Sequence, residues 1–338
     1  MLVLFIAIPA NSDPATLPHI HSGCSIYDSV GTLLAKVPGL RCLFFADGSY
    51  LSGDQDELVY FDATNIAKWN RPLTTHHLLT LTKAGHVLVG SSSRLKIRNS
   101  WFRTDVLHLV DLKTGKSIHQ FDFGSIKSWI EKGEEKRMDA SYDYSPRSKS
   151  LSEVTQEVSH MNSYYEIPEL DPGVEKSPGL RAGSIIVNFI GASRLFILDQ
   201  KLSHVVGRID LGPLRSKHDV QVERAGTLLI YGNVASENPP ITRGLRYDLR
   251  KKRQVAQWPA AEPTFFAPVA GSIQILPDGH VFMSDLSAGP RALEFDQRGT
   301  LVKEISLGPK FDASQTPNGL QEAKRLDLSA FLKNHRAL

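Results

Sequence analysis

The sequence predicts an all-β chain built as a β-propeller, with four antiparallel strands to a blade and six blades favoured over five or seven. Three observations predict it. Apolar runs are short and rich in β-branched residues, and long period-3.6 patterns are nearly absent. Turn dipeptides punctuate the runs: Asp47-Gly48, Ala84-Gly85, Ala225-Gly226 and Asp278-Gly279. The runs are also alike, and recur roughly every 35 to 60 residues, the length of one four-stranded unit.

Taken in order, residues 1–20 stand before the repeat. Leu2 to Ala10 reads LVLFIAIPA, the remnant of a signal or anchor, or else a leading strand. It has no basic leader and no clear small-x-small cleavage site. Residues 21–338 are expected to form a single propeller domain. Cys24 to Val37 reads as the last two strands of a unit, which a tail strand near Arg325 to Leu332 would complete, closing the ring. The tail from Leu320 to Leu332 also fits a helix. Cys42 to Asp62 begins the first full unit, and His77 to Gly90 with Asp105 to Phe121 forms the second. A stretched copy runs from His160 through Gly183 to Phe189 and Arg194 to Ile209, lengthened by an insertion from Glu169 to Arg181. His218 to Asn233 pairs with Arg243 to Trp258, and Gly271 to Asp285 with Arg291 to Ile305. Each unit reads strand, glycine turn, strand, loop, strand ending in Asp, turn, strand. Between Phe123 and Ser159 the pattern stops. A charged, Ser-rich stretch there, including Glu131 to Ser150, predicts an inserted loop over about 124–159.

Composition limits the function classes. The chain has 338 residues, 41% hydrophobic and 22% charged, enough to bury a large core and too apolar for a disordered chain. Its 39 Lys and Arg against 36 Asp and Glu leave a net charge of +3, with the basic residues scattered. That excludes a dedicated nucleic-acid binder. No run of 18 apolar residues exists, so no helix is expected to span a membrane. Cys24 and Cys42 fall on what read as neighbouring strands. They fit a cross-strand disulfide in an oxidising compartment or two buried thiols, and cannot make a zinc motif.

Aligning the units on the turn glycine exposes a candidate site. His77 precedes Gly85 by eight residues, His218 precedes Gly226 by eight, and His160 opens its own unit. First strands of a propeller line its central channel, so these three histidines are expected to converge at one mouth. Converging imidazoles suit a metal ion, or acid–base and nucleophilic work on an anionic group; periodicity leaves both open. Arg194, Arg243 and Arg291 each precede a strand-end Asp (Asp199, Asp248, Asp296) by five residues. They could bind an anion, but an inter-blade salt bridge is the favoured reading.

Three phrases carry a family likeness. HHLLTLTKAGHVLVG from His76 to Gly90, HMNSYYEI from His160 to Ile167 and KHDVQVERAGTLLIYGN from Lys217 to Asn233 resemble bacterial arylsulfotransferases, over roughly His76 to Ile305. The resemblance implies a six-bladed propeller that moves a sulfuryl group from an aryl sulfate to a phenol by a ping-pong route. It implies no nucleotide sulfate donor, no cofactor and no metal. It identifies His77 (or, as second choice, His76), His160 and His218 with the family's channel histidines, His218 being the one transiently sulfated. Asn162 would position a neighbour. The family's Arg on the strand after H-x-N-S is replaced here by Ile190, so Arg194 or Lys217 would have to supply the cation. The expected partners are a small aryl sulfate and a phenol, in the periplasm or outside the cell. The alternatives are a non-catalytic propeller binding a ligand or partner protein at the histidine mouth, and a metal-binding propeller using the three histidines.

Overall fold

A computed structural model describes residues 19–22, 24–54, 56–97, 100–126, 156–157, 159–174, 179–189, 194–211, 217–234, 240–261, 264–267, 271–285, 290–307 and 323–326. The chain divides into two compact units. One comprises Met1–Gly53, Val59–Trp69 and Thr227–Leu338, the other Asp54–Leu58 and Asn70–Gly226. The fold is the expected all-β propeller of four-stranded antiparallel blades, and the described residues form six sheets.

In chain order, the first sheet holds β1 (His19–Ser22), β2 (Ser25–Tyr27), β3 (Leu33–Lys36) and the last strand, β25 (Ala323–Leu326), as β25-β1-β2-β3. The described part of the tail, Ala323–Leu326, is therefore a strand, not a helix. It pairs with β1, His19 facing Leu326 and Ser22 facing Ala323. The second sheet is β4 (Arg41–Phe44), β5 (Tyr50–Gly53), β6 (Leu58–Phe61) and β7 (Ala67–Arg71). The third runs from β8 (Leu79–Leu81) through β9 (His86–Ile97) and β10 (Ser100–Asp111) to β11 (Ser117–Asp122), with β12 (Gln156–Glu157) parallel to β10. The fourth is β13 (Met161–Glu166), β14 (Ile185–Phe189), β15 (Arg194–Leu198) and β16 (Val205–Asp210). The fifth is β17 (Lys217–Val222), β18 (Thr227–Val234), β19 (Ile241–Asp248) and β20 (Arg253–Trp258). The sixth is β21 (Ile273–Ile275), β22 (Val281–Asp285), β23 (Arg291–Phe295) and β24 (Leu301–Ser306).

Burial follows strand position. The second strands β14 and β22 are buried along their whole length, the polar Asn188, Ser284 and Asp285 included. The outermost strand β16 alternates partly buried with exposed residues, as a strand with one wet face should. The strand-end aspartates explain the turn that follows each third strand. Asp62 Oδ1 accepts the backbone N–H groups of Thr64 and Ile66, and Asp296 Oδ1 those of Arg298 and Thr300. Asp28, Asp111, Asp199 and Asp248 do the same in their own hairpins. A short side-chain acceptor satisfies turn N–H groups that neither strand can.

Cys24 and Cys42 form a disulfide with a Cα–Cα separation of 4.9 Å. It joins the start of β2 to β4, tying the first sheet to the second rather than two strands of one hairpin. Both cysteines lie in a cluster with Ile26, Val37, Phe44 and Tyr50.

The arginine reading needs correcting. Arg194 lies 3.7 Å from Asp210, its partner across β15 and β16. Arg291 lies 3.0 Å from Asp285 on β22 and 3.0 Å from Glu304 on β24. Both are pairs within one blade, not between blades. Residues 1–18, Ile190, and the expected loop over 124–159 apart from 124–126, 156–157 and 159, lie outside the described residues.

Candidate functional site

Four histidine rings gather in the second unit. His76 and His77 precede β8, His160 precedes β13, and His218 is the second residue of β17. The ring centroids of His76 and His77 are 3.9 Å apart, and each lies 4.9 Å from that of His160. His218 packs on His77 at 5.6 Å. His77 and His218 are buried, and His76 and His160 partly so.

Local structure explains the gathering. In a regular strand, neighbouring residues point to opposite faces. His77 breaks that rule, because its φ is +62°, in the left-handed region that a non-glycine residue enters at a cost of order 1–3 kcal/mol. The departure lets both rings of the dipeptide reach the same cluster. The surrounding contacts hold it. His76 N–H donates to the Gly90 carbonyl at 2.7 Å. Gly90 N–H donates to Tyr164 Oη at 2.7 Å, and that hydroxyl donates to the Leu78 carbonyl. A Cβ at Gly90 would stand 2.8 Å from the His76 carbonyl oxygen and 2.9 Å from Tyr164, so only glycine permits this approach.

His160 is placed from both sides. Met161 N–H donates to Asp105 Oδ2 at 2.8 Å. Two residues on, Ser163 Oγ accepts the Val220 N–H at 3.1 Å, which fastens β13 to β17 and so sets His160 beside the strand of His218. Asn162, expected to position a neighbour, is fully buried between these two contacts. Asp105 is fully buried on β10. Its Oδ1 lies 3.5 Å from His76 Nδ1 and 3.4 Å from Arg103 Nη2. Arg103 also donates from Nε to Ser92 Oγ at 2.7 Å.

The Nε2 atoms of His77 and His160 are 2.9 Å apart. At that distance one ring donates and the other accepts, so at least one imidazole of the pair is neutral. A neutral ring nitrogen is a nucleophile or a proton acceptor, and its protonated neighbour is a donor to an anion.

The three predicted histidines are thus brought together, and His76 joins them as a full member instead of a second choice. Arg194 is not part of the cluster's described contacts. It begins β15, two strands or about 10 Å across the sheet from β13, and is occupied with Asp210. Lys217 is the first residue of β17, with its side chain outside the described residues. The Arg103–Asp105 pair was not anticipated. Its signal was two oppositely charged residues at i and i+2, which share one face of β10.

Among the described residues no helix is long and apolar enough to cross a membrane. A family model described as Arylsulfotransferase (ASST) matches residues 54–308. No curated protein matches the chain. Among solved structures, a protein of unknown function from Bacteroides caccae is similar at 13% identity and a TM-score of 0.52, over 90% of this chain and 97% of that one. Apo AztD from Citrobacter koseri is similar at 10% identity and a TM-score of 0.42, over 90% of this chain and 97% of that one. The first likeness speaks to the fold alone, and the second carries no argument.

Proposed function

The chain belongs to the arylsulfotransferase family, and on that premise we propose that it transfers a sulfuryl group from an aryl sulfate to a phenolic acceptor through a sulfated histidine. The observation that carries this reading is the cluster itself: His77 is in ring contact with both His160 and His218.

The chemistry is balanced without any redox step. A neutral His218 nitrogen attacks sulfur, an N–S bond forms, and the S–O bond to the aryl group breaks. The departing phenolate takes a proton from a neighbouring imidazole, His77 or His160. The acceptor phenol then attacks the same sulfur, gives its proton to that imidazole, and the N–S bond breaks to free His218. The imidazole donors also face the sulfuryl oxygens, where charge gathers in the transition state. No nucleotide donor and no cofactor is called for. The Cys24–Cys42 disulfide supports an oxidising compartment, the periplasm or the cell exterior.

The test is a chromogenic aryl sulfate, with and without phenol. Turnover is expected, and donor alone should leave a sulfuryl group on His218, located by mass spectrometry. His218→Ala should lower kcat/KM at least about 1,000-fold. Wild-type turnover in that variant, or a label on another residue, would remove His218 from the mechanism. Acceptor binding without any turnover would favour the non-catalytic reading.

A further inference from the structure

We propose that His76, His77 and His160 form a binding site for one divalent transition-metal ion of the zinc type. The proposal does not depend on sulfuryl transfer and stands on the geometry of these three rings and what lies behind them; a bound ion would occupy the His77 and His160 nitrogens that move the phenol's proton, so metal binding and turnover exclude one another.

One nitrogen from each ring falls within 4.8 Å of the others. A tetrahedral zinc with Zn–N bonds of about 2.0–2.1 Å holds its donors about 3.3 Å apart. His77 and His160 present Nε2 atoms 2.9 Å apart, so a movement of about 0.4 Å would admit the ion between them. The third ring, His76, is backed by a carboxylate. Asp105 Oδ1 lies 3.5 Å from His76 Nδ1, on the side away from Nε2. Drawn in to hydrogen-bond distance, that carboxylate would hold the Nδ1–H, leave Nε2 as the ligand and raise its basicity. Asp105 braces a second ligand too, since its other oxygen accepts the N–H of Met161, next to His160. Three neutral imidazoles favour zinc, copper, nickel or cobalt, and disfavour magnesium and calcium, which take oxygen ligands. The ring of His218 lies 5.6 Å from that of His77, centroid to centroid, and is not one of the three donors.

A second cluster in the other unit supplies an internal control. His280 Nδ1 lies 2.8 Å from Glu294 and 3.5 Å from Asp278. Its ring nitrogen is already committed to a carboxylate, in a set richer in oxygen.

The experiment uses the full chain free of any affinity tag. Zinc binding is read by calorimetry with metal analysis after dialysis, and cobalt binding by visible absorption. One ion per chain is expected, with the strong d–d absorption of tetrahedral cobalt. His76→Ala and His160→Ala should each reduce binding to background. Asp105→Asn should weaken it by about 10- to 100-fold while the chain still folds, a loss that a packing role alone would not predict. His280→Ala should bind as wild type. Substoichiometric zinc in the wild type, an octahedral cobalt spectrum, unchanged binding in His160→Ala, or loss of binding in His280→Ala would each overturn the proposal.

Discussion

The residue eight positions before the turn glycine is His77 in the third sheet and Gly271 in the sixth. The two positions are built from the same parts and used in opposite ways. Behind the first stands Tyr164, whose hydroxyl takes the Gly90 N–H and donates to the Leu78 carbonyl, leaving the histidine rings room to meet. Behind the second stands Tyr231, fully buried, donating to the Ser284 carbonyl at 2.7 Å. Its ring fills the place where a side chain at residue 271 would go: a Cβ there would sit 2.2 Å from Tyr231 Cζ. Both positions have a left-handed backbone, with φ of +62° at His77 and +128° at Gly271. Glycine takes that conformation freely, and histidine takes it under strain. One blade therefore closes the position with a tyrosine, and the other holds it open at a conformational cost for the sake of an imidazole.

The largest effect should come from exchanging the roles. His77→Gly removes an imidazole and relieves the strained backbone. Turnover of an aryl sulfate should fall by about 100- to 10,000-fold, while stability to denaturant stays level or rises. A variant that unfolds readily but keeps its turnover would make His77 a structural residue, and the contrast between the two positions would collapse. The reciprocal change is next. Gly271→Ala forces a methyl group into the Tyr231 ring at an unfavourable φ, and should destabilise the chain by about 3 kcal/mol or more. Turnover by the folded fraction should persist. Denaturation showing a loss under about 1 kcal/mol would mean that Tyr231 does not close the position.

Most of the architecture was legible because propeller physics repeats. Alternating short strands, glycine turns and strand-end aspartates each recur, and the aspartates turned out to hold the third-to-fourth hairpins through their own carboxylates. The site was legible only in part. His77, His160 and His218 share a repeat position, so alignment found them. His76 does not share that repeat position, and nothing in the sequence announces the left-handed His77 that brings the adjacent ring into the cluster. Asp105 reaches the cluster from β10, which only the fold brings beside His76. The arginines were misassigned for a simpler reason. Arg194, Arg243 and Arg291 share a repeat position, but spacing along the chain does not say which residue faces each one from the neighbouring strand. The real partner, Asp210, faces Arg194 from the next strand.

Acid should separate the histidine-bearing blade from the turns common to all of them. His108, on β10, is buried, and burial pushes its imidazole down to about 4; its Nε2 lies 2.8 Å from Ser91 Oγ. Between about pH 6.5 and 4 the unfolded chain holds the proton at this residue and the folded chain does not. Stability from this residue is therefore complete above about pH 6.5 and is lost as pH falls to 4, on the order of 3 kcal/mol at most. The turn aspartates act in a lower window. The N–H of Lys251 holds Asp248 below the usual carboxylate range, and that of Thr300 does the same for Asp296. Their folded values lie below the unfolded one, so their contribution is present above about pH 4 and fades only below it. Thermal melts across pH 7 to 3 should show a first decline that His108→Gln removes, and a second, smaller one that Asp296→Asn reduces. A single decline confined below pH 4 would show that His108 is protonated in the folded chain as easily as in the unfolded one. The acid response would then belong to the repeated turns alone, and the histidine blade would differ from the others only in its chemistry.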